Sequence, residues 1–153
     1  MKQKYLDIQQ AVILRYGIKI EEHSTCRGRM HAHVKERKIC KWHPKESYSA
    51  TFSLLHEIGH IENNKSSMRR AEEEYYATIW AIDRLKEYGL PLKKQEIYSY
   101  QRYILLEMKR GERRGGNQYG DLNLYKYIGM DVSLEDFYNS LSVDWKLYID
   151  GLI

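Results

Sequence analysis

The stretch Leu55-His56-Glu57-Ile58-Gly59-His60 constrains this chain more than any other. It contains the pattern H-E-x-x-H. On an α-helix, side chains four positions apart lie nearly one above the other, so His56 and His60 are placed to aim two imidazole nitrogens at one point, with Glu57 about 100° further round. Two His ligands, a third protein ligand and a water make up the open tetrahedral set of a catalytic Zn²⁺ site, where the metal lowers the pKa of the water to about 7. Glu57 is then positioned to take the proton. The flanks favour the same geometry: Leu54, Leu55, Ile58 and Ile61 fall on the side of the helix opposite the histidines, as expected where one face packs on a core and the other faces a cleft.

A chain of 153 residues, 42% of them hydrophobic, can build one ordinary core, so a single domain over residues 1–153 is expected. No apolar run approaches the ~20 residues needed to span a bilayer, and the charged opening Met1-Lys2-Gln3-Lys4 leads into no hydrophobic signal region. These features point to a cytoplasmic protein with no membrane partner. Cys26 and Cys40 are the only cysteines, too few for a disulfide framework, and in a reducing compartment they are expected as free thiols. The net charge of +4, from 25 basic and 21 acidic residues, argues only weakly for nucleic acid. The 14 tyrosines are best used in packing at core edges.

Apolar positions Tyr5, Ile8, Val12 and Ile13 predict a first helix from Gln3 to Tyr16, closed by Gly17. Three short strands follow: Ile18 to Glu21, then Met30 to Val34 and Lys38 to Trp42 as a hairpin about the charged turn Lys35-Glu36-Arg37. Ser47 is the expected N-cap of the helix that carries the histidines, which fades at Glu62-Asn63-Asn64. A long helix from about Met68 to Tyr88 ends before Gly89 and Pro91. Another, after Pro91, puts Ile97, Tyr100, Ile104 and Met108 on one face and ends near Gly115-Gly116. Its basic end, Lys109, Arg110, Arg113 and Arg114, suits the helix macrodipole better than it suits a nucleic-acid patch. Ser133-Leu134-Glu135-Asp136 resembles a capping box for a short helix to about Leu141. The expected architecture is α+β, a small antiparallel sheet of about three strands packed on the H-E-x-x-H helix and further long helices.

The third ligand is sought among Glu72, Glu73 and Glu74 on the second long helix. If Met68, Ala71, Tyr75, Ile79 and Ile82 mark its buried stripe, Glu72 lies about 60° from the centre, Glu74 about 100° and Glu73 about 160°. Glu72 is therefore ranked first, because a carboxylate on a buried face needs a compensating partner such as a metal. Glu74 is the alternative, or a hydrogen-bonding partner to a ligating His.

The run from Phe52 to His60, followed by Glu72-Glu73-Glu74-Tyr75-Tyr76-Ala77, resembles the ImmA/IrrE family of zincin metallopeptidases, and small phage and prophage proteins with the same motif. The resemblance covers about Ala11 to Pro91 and leaves residues 92–153 as a helical C-terminal extension. It implies a zincin-like fold and ligands His56, His60 and Glu72, because the family's third ligand is a Glu followed four and five residues on by an aromatic and Ala, here Tyr76 and Ala77. It also implies Glu57 as general base. The loop between His60 and the Glu-bearing helix is shorter than in the family, and Glu73-Glu74 stand where small and Asn or Asp residues are usual.

Cys26, His31, His33, Cys40 and His43 form a second group of metal-ligand types, with Cys40-x-x-His43 at a spacing found in structural zinc sites. The remaining spacing is irregular and favours ordinary strand histidines beside buried thiols.

Together these readings lead to a zinc-dependent peptidase, encoded by a phage or mobile element, that cuts a protein or peptide substrate such as a transcriptional repressor. An edge strand near Lys38 to Trp42 would align the extended peptide. No residue stands out as the oxyanion-stabilising group. The competing readings are a zincin-like metal-binding module without efficient hydrolysis, and a nucleic-acid-binding accessory protein using Arg27, Arg29, Lys35, Arg37, Lys38 and Lys41.

Overall fold

The spacing of Ile8 and Val12 winds α1 (Gln3–Arg15) with both side chains buried. At its end Gly17 adopts φ +60°, a left-handed conformation that only glycine takes at no steric cost, and the chain turns at once into the sheet. This description comes from a computed structural model and covers residues 3–21, 30–63 and 70–93, together with 95, 96, 99, 100, 102–104 and 107. The basic cluster Lys109–Arg114, the helix expected from Leu134, and Cys26, Arg27 and Arg29 lie outside the described residues.

Three short strands form the sheet: β1 (Lys19–Glu21), β2 (His31–His33) and β3 (Lys38–Cys40), in the order β1-β3-β2. β2 and β3 are the expected antiparallel hairpin, with Ala32 opposite Ile39 and a turn closed by the bond from Arg37 N to Val34 O at 3.2 Å. The sheet is mixed, however, because β1 pairs with β3 in parallel. Alternating hydrophobicity marks a strand and its buried face but leaves its neighbour open. Here β1 takes the free side of β3, and the bonds Lys19 N to Arg37 O and Lys41 N to Glu21 O, both 2.9 Å, extend the parallel ladder at its two ends. The central strand is therefore β3, so the expected peptide-aligning edge at Lys38 to Trp42 is already paired on both sides. The edges belong to β1 and β2.

α2 (Tyr48–Glu62) begins where expected: the Ser47 side chain accepts a hydrogen bond from Ala50 N at 3.1 Å. It packs on α1 and β2, burying Phe52, Leu54, Leu55, Ile58 and Ile61 with Ile39, Val12 and Ile8 in one core. A buried amide ties α1 to the start of α2. Gln9 donates to Lys45 O at 2.7 Å and to Thr51 Oγ1 at 2.8 Å, and accepts from Lys45 N at 3.3 Å.

α3 (Arg70–Glu87) ends at Gly89, φ +66°, with Leu90 N returning to Leu85 O at 2.8 Å and Gly89 N to Lys86 O at 3.0 Å, the paired bonds of a glycine-terminated helix. The chain falls into two compact units, Met1–Met68 with Tyr76–Pro91 and Arg69–Tyr75 with Leu92–Ile153. In the second, the described residues from 95 to 107 are helical, Ile104 and Glu107 are buried, and Arg70 pairs with Glu74 at 3.0 Å and Glu73 at 3.6 Å. Among the described residues no helix is long and apolar enough to cross a membrane.

Candidate metal centre

His56 and His60 stand one turn apart on α2 with their Nε2 atoms 3.2 Å apart and their rings nearly perpendicular, at 88°. Two nitrogens each 2.0–2.1 Å from a tetrahedral zinc would lie about 3.3 Å apart, so this separation suits two ligands of one metal. His56 is buried at 4% exposure, and its other nitrogen, Nδ1, is 3.2 Å from Thr78 Oγ1 on α3. Donation from Nδ1–H to the hydroxyl leaves the Nε2 lone pair facing His60 and fixes the ring plane, as an outer partner of a metal-bound imidazole does.

The two helices approach closely beside this pair. A Cβ at Gly59 would stand 2.6 Å from Ala77 O and 2.9 Å from Ala77 Cα, so only glycine fits there. The facing stripe of α3 consists of small side chains and Leu or Ile at helical spacing: Ala71, Ala77, Thr78, Ala81, Ile82 and Leu85 are all buried. Glu74 lies in this stripe, one turn before Thr78, and is 2% exposed. Its carboxylate joins the histidines, so that one ligand atom each from His56, His60 and Glu74 lie within 4.8 Å of one another. Two imidazoles and a carboxylate, buried or half-buried, are a donor set that fits Zn²⁺ with one position left open.

Glu72, ranked first on sequence, is not a member of this group. It lies roughly 150° round the helix from the centre of the observed stripe and is half-buried. Glu74 rather than Glu72 is the more buried because the core face is not the one marked by the bulky residues Tyr75 and Ile79. Both are only half-buried, whereas the backbone of Ala77 on α3 stands directly against Gly59 of α2. Thr78 carried no sequence signal of its own. It becomes visible only once Glu74 is known, since four residues separate the two.

Glu57 is half-buried on α2, next to His56 and outside the three-residue ligand group. Ser53 and Ser49 precede it by one and two turns and share its face. They and Ala50 form one side of a groove of about 320 Å³, whose other side includes Lys41, Trp42 and His43 beyond the end of β3. Trp42 is 4% exposed and its Nε1–H has no hydrogen-bond partner among the described residues.

The second group of ligand types is drawn together in part. His31, His33 and Cys40 place one ligand atom each within 4.8 Å of one another, while His43 lines the groove instead. Cys40 is fully buried and disulfide-bonded, which corrects the expectation of free thiols. A rule based on cellular compartment does not decide whether a particular sulfur is cross-linked. Two of the hairpin cations invoked for nucleic acid are engaged by carboxylates: Lys38 by Glu21 at 2.6 Å and Glu36 at 2.9 Å, and Arg37 by Glu62.

Comparison with family models, with curated proteins and with solved structures returned no match.

Proposed function

We propose that this protein is a zinc-dependent peptidase whose metal ligands are His56, His60 and Glu74 and whose general base is Glu57. The observation that carries the reading is the convergence of those three residues, with Thr78 beside His56, on a helix whose H-E-x-x-H sequence sets Glu57 next to His56. A purely structural site has no use for a base in that position. When bound, zinc supplies Lewis acidity, polarising the scissile carbonyl and making water acidic enough to lose a proton near neutral pH. Glu57 accepts that proton and delivers it to the leaving amine, so the carboxylate ends the cycle as it began. The groove along Ser49, Ala50 and Ser53 lies on the Glu57 face of α2 and gives an extended peptide a place to lie. The carboxylate pairing of Lys38 and Arg37 weighs against a nucleic-acid surface on the hairpin.

The similarity of these segments to ImmA/IrrE zincins supports the same reading and a phage or mobile-element origin, with a repressor-like protein as substrate. In this reading the third ligand sits two residues later than the register that resemblance implies, since Glu74 precedes Ala77 by three positions.

The test is zinc content of the purified full chain without reductant, combined with mass-spectrometric detection of cuts in a diverse library of folded and unfolded proteins. One zinc per chain, lost in Glu74→Gln and kept in Glu72→Gln, is expected, with cuts made by the parent and absent in Glu57→Gln. A parent chain that takes up no zinc sinks the peptidase reading. Zinc uptake without any Glu57-dependent cut makes the protein a metal-binding module.

A further inference from the structure

The β2–β3 hairpin carries a second convergence of metal ligands, separate from α2 and α3. His31 and His33 alternate along β2 and so point to one face, and the antiparallel register sets Cys40 directly opposite His31 on that same face. The imidazoles meet with Nε2 atoms 3.0 Å apart and ring centres 4.8 Å apart. The Cys40 sulfur lies within 4.8 Å of both ligand nitrogens and is completely shielded from solvent. Two imidazole nitrogens and one thiolate are what zinc or cobalt takes at a tetrahedral site, with metal–nitrogen and metal–sulfur bonds of about 2.0 and 2.3 Å that this spacing accommodates.

The sulfur is already committed, because Cys40 is disulfide-bonded, and the sequence holds one other cysteine, Cys26. A disulfide sulfur has no thiolate to give a metal, so the covalent bond and the metal compete for one atom. We propose that His31, His33 and Cys40 form a thiol-gated site for Zn²⁺, closed while Cys40 is oxidised and opened by reduction. The gating step balances: a dithiol donates two electrons and two protons and closes its own disulfide, while the Cys40 disulfide opens to two thiols. Metal binding then releases the Cys40 thiol proton to solvent. In either state a cross-link restrains β3, either the disulfide or a metal bridge to β2. The strands are three residues each, and a sheet this small gains little cohesion from its own ladder.

Cobalt separates this site from the one on α2 and α3, because only a thiolate ligand gives a sulfur-to-cobalt charge-transfer band in the near ultraviolet. The full chain is titrated with Co²⁺ with and without a phosphine reductant, alongside Cys26→Ser, Cys40→Ser and the double variant His31→Ala/His33→Ala. Far-ultraviolet circular dichroism is recorded for each. The expected result is no band in the oxidised parent, a band in the reduced parent, and a band in Cys26→Ser without reductant. The band should be absent from Cys40→Ser, and at least tenfold more cobalt should be needed to raise it in the double histidine variant. Cys26→Ser keeps every proposed ligand and removes only the disulfide, so it remains informative if Cys40→Ser fails to fold. Absence of the band from folded Cys26→Ser, or its persistence at unchanged cobalt concentration in the double histidine variant, overturns the proposal. Neither result touches the histidine–glutamate site, whose cobalt complex contains no sulfur.

Discussion

Replacing Gly59 by alanine tests the link between helix packing and the metal centre. The added methyl would meet Ala77 O at 2.6 Å, Ala77 Cα at 2.9 Å and Ala77 C at 3.1 Å, all backbone atoms that no rotamer change can move. Restoring an ordinary contact requires the helices to part by roughly 0.8 Å at this point. Overpacking of this kind costs about 1–3 kcal/mol, and a rigid backbone neighbour places it at the upper end. Alanine returns about 1 kcal/mol through its better helix propensity, leaving a net loss of about 2 kcal/mol. The same displacement draws Thr78 and Glu74 away from His56 and His60, so zinc affinity should fall at least tenfold. Urea unfolding at matched m-value gives the first quantity, and competition with a chromogenic chelator gives the second. Gly89→Ala is the control: its Cβ would have nothing within 4 Å, and only its φ of +66° is unfavourable, so it should lose about 1 kcal/mol of stability and no zinc affinity. A Gly59→Ala chain as stable as the parent, with zinc affinity unchanged within twofold, would refute the close helix contact and its role in holding the site.

Thr78→Val removes the hydroxyl that stands 3.2 Å from His56 Nδ1 and keeps the shape of the side chain; zinc affinity should drop about 10–100-fold with the far-ultraviolet spectrum unchanged. Gln9→Leu strips three hydrogen bonds from the junction of α1 and α2, leaving Lys45 N and O to seek other partners while Thr51 Oγ1 keeps its bond to Ser47 O, and should cost about 1–3 kcal/mol in chemical unfolding. Hydrogen bonding to Arg15 holds the Glu87 carboxyl below its ordinary value of 4.5. A carboxyl with a lowered folded-state pKa adds stability that is present above that ordinary value and is lost as pH falls through the folded-state value. Arg15→Met should therefore flatten the acid side of the stability profile below about pH 4.5, a change visible as a smaller difference in urea midpoint between pH 6 and pH 3.

The helices and the two histidines were legible because their signals are local. Ser47 caps, Gly17 and Gly89 terminate, and the period of Ile8, Val12, Leu55 and Ile58 names the buried faces. Pairing was not legible: the alternation in Lys19-Ile20-Glu21 is the same whether β1 joins β2 or β3 and whether it runs parallel or antiparallel. The burial of Glu74 was hidden for another reason. Hydrophobic period finds the face with the most apolar surface, but a helix pair in backbone contact is lined by Gly59, Ala77 and Ala81, residues that contribute little to such a pattern. Glu74 stands in that row of small residues, so a stripe drawn through Tyr75 and Ile79 puts it about 100° from the centre and ranks it second, although it is buried. The joining of His31, His33 and Cys40 likewise needed the register of a hairpin, which a list of spacings does not contain.

The contact between Gly59 and Ala77 acts as a mechanical stop. With backbone already against backbone, α2 and α3 have no remaining travel towards each other, and the distance from α3 to the histidine pair is set by the main chain alone. The reach of the side chain at position 74 therefore has to match a fixed gauge. Aspartate, with the same charge and one carbon fewer, cannot be helped by a closing movement of the helices, and a longer arm would have to fold back on itself. In the proposed site, the length required of the side chain at position 74 would thus be set by a glycine and an alanine that do not belong to the ligand group.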